Sequence, residues 1–451
     1  MKLRLSDVAS YAQGRLIGDD VVVDSVSTDS RTLAPGALYV AIRGEHFDGH
    51  AFVRAAENAG AVAALVDNET FTDFPQVLVD DTQLALGRLA TAICNESAAK
   101  VVAITGSNGK TTVKTLTAAI LSLHGRTHVN SGNYNNEIGL PLSVLAMPDD
   151  TQFAVFEMGA GKPGDIDYLT SIAMPDVGLV NNVAAAHLER MGDLDGVAQT
   201  KGAIISALSA DGVAVINADD AYADYFVGLA GSRRTIRYGF ASDADVRGQV
   251  AGEAAGSFRI VLAAESASIT LGLPGVHNIC NALAAAAISI ALGVPMATIK
   301  AGLESATPVA GRLAAQKHAS GATIIDDSYN ANPGSFAAAI ATLADKRGRR
   351  VLVMGDMKEL GPDADELHEQ VGAHASDAGI DQLHAVGECS AFAVRAFDGA
   401  AFLHESQDAL IAALRPLLQE GTTVLVKGSR SSAMDKVVAA LLASEGEAHA
   451  A

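Results

Sequence analysis

A chain of 451 residues, 49% hydrophobic and 19% charged, is long enough for about three globular domains and too apolar for intrinsic disorder. Its formal net charge of −20 excludes the broad basic face of a nucleic-acid binder, so no nucleic-acid partner is expected. The cysteines Cys94, Cys280 and Cys389 form no CxxC pair, so neither a zinc site nor a disulfide framework is suggested, and a reducing cytosol fits.

The opening residues, MKLRLSDVASYAQG, hold no apolar signal-peptide core, and no apolar run reaches the roughly 18 residues of a membrane helix. A cytoplasmic chain without membrane insertion is expected. Residues 1–81 read as a small mixed α/β unit. VVVDSVSTDSR and GALYVAI predict strands, AFVRAAENAGAVAAL a helix followed by a strand, and PQVLVDD another strand. No GxGxxG occurs there, so this unit does not bind a dinucleotide.

A second unit, 82–311, contains the strand VVAIT, the loop GSNGK and a helix on which Val113, Leu116, Ile120 and Leu123 recur at helical spacing. QFAVFEM, DVGLVNNV and GVAVINADD continue the alternation of strand and helix, predicting a mostly parallel sheet. FRIVLA and SITLGL add strands before LPGVHNICNALAAAAISIAL, whose second half predicts a strong helix. A third unit, 312–451, is of doubly wound, Rossmann-like type. Its strands are TIIDDS, RVLVMGD, QLHAVG and TTVLVKGS, with helices from Gly334 and Asp363, and the tail EGEAHAA is expected to fray.

The segment TGSNGKTT sits between a strand and a helix, the context that gives a phosphate loop meaning. Gly106 and Gly109, with Ser107 and Asn108 between them, let backbone N–H groups turn toward a phosphate, and the helix N-terminus adds partial positive charge. Lys110 is positioned to reach the β- and γ-phosphates, and Thr111, followed by Thr112, offers a hydroxyl to Mg²⁺. The strict GxxxxGK[ST] pattern asks for Gly where Ile104 stands, so a ligand-free glycine turn is the competing reading.

Three further residues point to chemistry. Glu157 closes QFAVFE, where an α/β sheet gathers ligand groups; it could hold a hard cation or simply end the strand in solvent. His187, alone, reads as structural before it reads as a ligand. Lys201 falls on one helical face with Leu194, Val197, Ile204, Ile205 and Leu208. A lysine there must snorkel out, find a partner or lose its charge. Desolvation would leave a nucleophilic amine able to take up CO₂ as a carbamate.

The runs TGSNGKTT, NYNNEIGLP, EMGA, NNVAAAHLE, GVAQTKGAI, GVHNICNALAAAA, GRL, DDSYNANPGS, GDMKELG and VKGSRSSAM follow in that order. Together they resemble the Mur ligase family over essentially the whole chain. The resemblance implies a domain for the UDP end of a substrate, a central ATPase domain and a C-terminal domain that closes over the site. DDSYNANP, GDMKELG and KGSRSSAM point to the branch that joins D-alanyl-D-alanine to UDP-N-acetylmuramoyl-tripeptide with ATP and two Mg²⁺ ions. A monomer is expected.

By the same resemblance, Lys110 and Thr111 serve the phosphates and the first Mg²⁺, which Glu157 shares. His187 and carbamylated Lys201 flank the second. Asn278 and Asn281 match adenine-side asparagines, although Asn278 could instead cap a helix. Arg312 and Asp327 match residues that reach the nucleotide. Ser27, Asp29, Ser30 and Arg31, with Gly44, Asp48 and His50 of GEHFDGHAF, resemble the UDP-muramoyl pocket, although both segments could simply make turns. Asn330, Ser429 and Arg430 resemble the dipeptide pocket, where an Arg pairs with a carboxylate; a surface ion pair is the alternative for Arg430. The DNPR motif of the diaminopimelate-adding member is absent. A nucleotide-binding switch without ligase activity is the rival from another class, and it has no need of Glu157, His187 and Lys201 together.

Overall fold

Short strands alternating with amphipathic helices build three α/β units in chain order. The computed structural model describes residues 2–44, 47–69, 73–250 and 256–443. The tail EGEAHAA, and Glu45 and His46 of GEHFDGHAF, lie outside them.

Among the described residues the first unit has a five-stranded sheet in the order Arg15–Ile17, Gln76–Leu78, Ala63–Val66, Ala37–Val40, Ser25–Ser27. Only its first strand is antiparallel to its neighbour. VVVDSVSTDSR does not form one strand. It breaks at Asp24, because Val22–Val23 pairs with Leu3–Arg4 in a separate ribbon while Ser25–Ser27 joins the main sheet. The opening residues form the helix Leu5–Tyr11, with Leu5, Val8 and Ala9 buried. Two turns of helix are too short to carry a periodic signal.

In the middle unit the strand Lys100–Thr105, which leads into the loop GSNGK, lies between Phe153–Glu157 and Val177–Val180, parallel to both. Val213–Asn217, Arg234–Gly239 and Val246–Val250 extend the parallel sheet, and Ser257–Val261 and Ser266–Thr270 close it as an antiparallel edge. Parallel strands covered by helices on both faces read as continuous apolar runs, and Val101 to Thr105 are all buried. RTIRYG escapes that reading because Arg234 and Arg237 interrupt its apolar side chains.

The helix Lys110–Ser122 buries Val113, Leu116, Ile120 and Leu121, and full burial of each such side chain is worth about 1.5–3 kcal/mol. That packing fixes the helix and therefore the loop at its N-terminus. Beside it runs Val276–Ala291, which begins before the second half of its segment, so Asn278 and Asn281 lie in its first turns. Asp81 caps the helix Thr82–Glu96, accepting from the Leu84 amide at 2.8 Å. This helix buries Ala85, Leu86 and Leu89 in a core shared by the first and middle units.

The third sheet runs Ala314–Lys317, Thr323–Asp327, Thr422–Lys427, Arg349–Gly355, Gln382–Val386, Ala400–His404, parallel except for the first strand. Asn332 and Ser335 form a capping box at the start of Pro333–Ala344. Among the described residues no helix is long and apolar enough to cross a membrane.

Candidate active site

The site grows from the carboxyl ends of adjacent parallel strands. Glu157 pairs in register with Ile104, and Val180 with Thr105, so Gly106, Glu157 and Asn181 emerge along one edge. Gly109 has φ +79°, and a Cβ there would lie 2.4 Å from Asn281 Oδ1 and 2.6 Å from Asn181 Nδ2. Only glycine fits that turn. Asn181 and Asn182 hold the loop from below. Asn181 Nδ2 donates to Asn108 O at 2.9 Å, and the Asn108 amide donates to Asn182 Oδ1 at 2.8 Å. Ser107 Oγ donates to Ala184 O at 3.0 Å.

Lys110 folds back over this loop, its Nζ donating to Gly106 O at 2.7 Å. Burial pulls its pKa down, with Glu157 opposing. The Thr111 hydroxyl donates to Glu157 Oε2 at 2.6 Å, and Asn135 Nδ2 donates to Glu157 Oε1 at 2.8 Å. Lys114 Nζ stands 3.6 Å from Glu157 Oε2 and donates to Asn130 O at 2.8 Å. Burial alone would push the Glu157 pKa up; Lys110, the Thr111 hydrogen bond, Lys114 and Arg312 reverse this and hold it below the usual range. The buried carboxylate is therefore ionised and aimed beside the loop.

His187 sits in the left-handed region, φ +56°, and its Nδ1 lies 2.5 Å from Oε2 of Glu359, itself at φ +61°. Burial lowers the His187 pKa; Glu359 opposes, and the cations Lys201 and Lys110 lower it further. Lys201 is 1% exposed, which rules out the snorkelling alternative. Burial, then the positive charge of Lys110, bring its pKa to about 7. Val197, Ile204, Ile205 and Leu208 are buried on its helix face, whereas Leu194 is 42% exposed and does not belong to that stripe.

The third unit supplies the opposite wall. Arg312 Nη2 donates to the Thr111 hydroxyl at 2.8 Å, and its guanidinium lies 4.3 Å from the Tyr329 ring centroid. Asp327 accepts from Lys427 Nζ at 2.5 Å and from the Leu313 amide at 3.1 Å. Burial still leaves the Asp327 pKa raised. Asn332 Nδ2 donates to Asn108 Oδ1 at 2.8 Å, a second bond across the same junction. Between the two walls lies a cleft of about 930 Å³ lined by Ser107, Asn108, Gly109, Lys110, Thr112, Glu157, His187, Asn278, Asn281, Arg312, Asp327, Asn330 and Arg430.

Other predicted residues stand apart from that lining. Gly106, Thr111, Lys201 and Ser429 lie behind it, and Ser429 Oγ is 2.9 Å from Ser432 Oγ. Asn278 does not cap its helix. Gly275 is the cap residue, and Asn278 Nδ2 donates to Pro274 O at 2.6 Å. Arg430 lines the cleft and also stands 3.8 Å from Asp435. The first-unit residues Ser27, Asp29, Ser30, Arg31, Gly44, Asp48 and His50 do not line it. Asp29 accepts from the Arg31 amide at 2.9 Å and from its guanidinium, which brings the Asp29 pKa down to about 2. Asp48 caps the turn Gly49–Phe52, accepting from the His50 amide at 2.9 Å. Both segments thus make turns.

Reasoning from single residues passes over Lys114, Asn130, Asn135, Asn181, Asn182, Tyr329, Glu359 and Lys427. All but Asn130 belong to runs already singled out or to the helix that follows the loop, so their signal is membership of those runs.

Three family models match the chain: Mur ligase family, catalytic domain, over residues 22–101; Mur ligase middle domain over 104–289; and Mur ligase, glutamate ligase domain, over 311–430. UDP-N-acetylmuramoyl-tripeptide–D-alanyl-D-alanine ligase of Escherichia coli (strain K12) is 44% identical over 446 residues, covering 98% of each chain. Its namesake in Bacillus subtilis (strain 168) is 34% identical over 458 residues, covering 98% of this chain and 99% of its own. The crystal structure of MurF from Acinetobacter baumannii matches with a TM-score of 0.92 at 32% identity, covering 98% of this chain and 99% of that one. MurF ligase from Thermotoga maritima in complex with ADP matches with a TM-score of 0.83 at 29% identity, covering 93% and 97%. The chain belongs to the Mur ligase family.

Proposed function

We propose that this chain joins D-alanyl-D-alanine to UDP-N-acetylmuramoyl-tripeptide, using ATP, to make the pentapeptide precursor of peptidoglycan. In this reading residues 1–81 hold the UDP-muramoyl end, 82–311 bind ATP, and 312–451 close over ATP and take the dipeptide. It acts in the cytoplasm as a monomer. The observation that carries the reading is the shared cleft, where Lys110 and Glu157 on one wall face Arg312, Asn330 and Arg430 on the other. Relatives bearing the dipeptide-ligase name at 44% and 34% identity support the choice of substrates.

Amide formation from a free carboxylate is uphill, so the tripeptide carboxylate first attacks the γ-phosphorus of ATP and releases ADP. The dipeptide amine then attacks the acyl phosphate carbon, and phosphate leaves from the tetrahedral intermediate. The first step brings two anions together. Lys110 and the loop amides stabilise the transferring phosphoryl group, and Arg312 adds charge from the closing unit. Asn278 and Asn281 stand on the adenine side, and Arg430 pairs with the dipeptide carboxylate. Closure excludes the water that would hydrolyse the acyl phosphate.

The donor set fits Mg²⁺ carried on phosphates, which needs few protein ligands, all of them hard. The Thr111 hydroxyl and ionised Glu157 lie together behind the loop. The second position has His187 and Lys201, and among the described residues no three His, Cys, Asp or Glu side chains converge there. A carbamate on Lys201, formed from its neutral amine and CO₂ with release of a proton, would supply the missing anionic oxygen. When bound, the two cations neutralise charge building on the transferring phosphoryl group.

The test is ADP formation across combinations of UDP-muramoyl tripeptide and dipeptide, with the product weighed by mass spectrometry. Dependence on both substrates and a pentapeptide mass are expected. ADP release that ignores the dipeptide, with no new amide, would leave a nucleotide switch instead.

A further inference from the structure

Glu359 has been given no role so far, yet it makes one of the few polar bridges between the third unit and the middle one. Its Oε2 lies 2.5 Å from His187 Nδ1. The contact is not an isolated side-chain meeting. A Cβ placed on Gly361, two residues on, would lie 3.6 Å from the Glu189 backbone and 4.0 Å from that of Leu188, so the two segments run side by side. Five non-glycine residues among those described have positive φ, and His187 and Glu359 are two of them. Backbone of that kind persists where its surroundings over-determine it, and here both strained residues turn toward each other.

A carboxylate oxygen can only accept, so the shared proton belongs to His187 Nδ1. The ring lines the cleft, and its Nε2 makes no hydrogen bond to a described residue. A carboxylate that fixes one nitrogen of an imidazole sets the tautomer and leaves the other nitrogen bare for a cation. We infer that Glu359 is a positioning residue which holds His187 with Nε2 unprotonated and facing the cleft, completing the second cation position from behind. The inference rests on the ligase reading for what the cation does, and on the His187–Glu359 geometry for how it is held.

The test uses the full chain with ¹⁵N-labelled histidine. Long-range ¹H–¹⁵N correlation distinguishes the two neutral imidazole tautomers, and loss of a signal in His187→Asn assigns it. The wild type is expected to show the Nδ1–H form. Glu359→Ala should shift His187 to the Nε2–H form or a mixture, and Glu359→Gln, whose carbonyl can still accept, should keep the wild-type pattern. Mn²⁺ affinity in the presence of a non-hydrolysable ATP analogue, read by electron paramagnetic resonance, should fall about 10- to 100-fold in Glu359→Ala and about threefold at most in Glu359→Gln. An unchanged tautomer or an unchanged Mn²⁺ affinity in Glu359→Ala overturns the inference. The imidazole pattern is read without substrates, so it is decided whether or not the wild type forms pentapeptide. Failure to form pentapeptide would count against the ligase reading alone.

Discussion

Arg312 reaches Thr111 across 201 positions of chain, its guanidinium donating to the hydroxyl at 2.8 Å. That hydroxyl donates in turn to Glu157 at 2.6 Å, so a residue at the start of the third unit already touches the Thr111–Glu157 pair beside the glycine loop. Hydrogen bonds to charged groups are worth about 1.5–3 kcal/mol. Arg312→Ala should therefore lower kcat/KM for ATP about 10- to 100-fold. Arg312 is only half-buried at the junction between units, so the thermal midpoint should move by no more than about 2 °C. Initial rates over a range of ATP concentrations check this, and a variant with wild-type kcat/KM would show that the contact is incidental.

Gly109 leads to a second expectation. An Ala Cβ there meets Asn281 Oδ1 at 2.4 Å and Asn181 Nδ2 at 2.6 Å, at a φ of +79° that L-residues avoid. The loop must shift away from the asparagines that shape it. Nucleotide present at about 100 times its Kd stabilises a protein by about 2.7 kcal/mol. The wild type should show a thermal shift of that origin on adding ATP and Mg²⁺. Gly109→Ala should fold but lose most of the shift, and an equal shift in both proteins would contradict the geometry.

Much of this site is legible in the sequence because its residues follow local rules. Lys110 and Thr111 sit in a strand–loop–helix context that periodicity reveals, and Lys201 falls on an apolar face by helical spacing alone. The residues that escape do so for physical reasons. Lys114 lies off the stripe of Val113, Leu116 and Ile120, so it reads as a solvated charge, and only the fold brings Asn130 and Glu157 to it. Glu359 meets a partner 172 positions away, a distance at which spacing carries no information. The strand Arg234–Gly239 hides because tertiary packing, not pattern, decides it. The turn chemistry of Asp29 and Asp48, by contrast, is visible locally and is what the structure contains there.

Acid should loosen the third unit through Asp356. Its carboxylate accepts from the Ser390 amide at 2.8 Å and the Ser390 hydroxyl at 2.7 Å. Burial would raise its pKa, but the two Ser390 bonds and nearby Lys358 hold it below its ordinary value of 3.8. The folded form thus prefers the ionised acid more than the unfolded chain does. The stabilisation is fully present above the ordinary value and disappears as pH falls through the depressed one. Asp356→Asn should cost stability at pH 7 and should show a shallower fall in urea midpoint than the wild type between about pH 5 and pH 3. Parallel falls in the two proteins would remove Asp356 from the account.

Lys201 carries the sharpest expectation. The residue is 1% exposed, its pKa is brought to about 7 by burial and then Lys110, and no carboxylate offsets them. Left as an ammonium it would repel a cation beside His187. As a neutral amine it can add to CO₂, forming an N–C bond and giving up a proton, which turns a repulsive group into an anionic oxygen donor. Lys201→Ala should be nearly inactive and should recover part of its activity with acetate or formate, small carboxylates able to enter the space left by the side chain. In the wild type at fixed dissolved CO₂, the neutral fraction of the amine falls about tenfold per pH unit well below 7, so turnover should fall on acidification and recover when CO₂ is raised. Lys201→Ala should show no such response to CO₂ at any pH. Wild-type turnover in the unrescued variant would eliminate the carbamate. Rescue of Lys201→Ala by a small amine, and not by a carboxylate, would assign Lys201 the role of a plain cation.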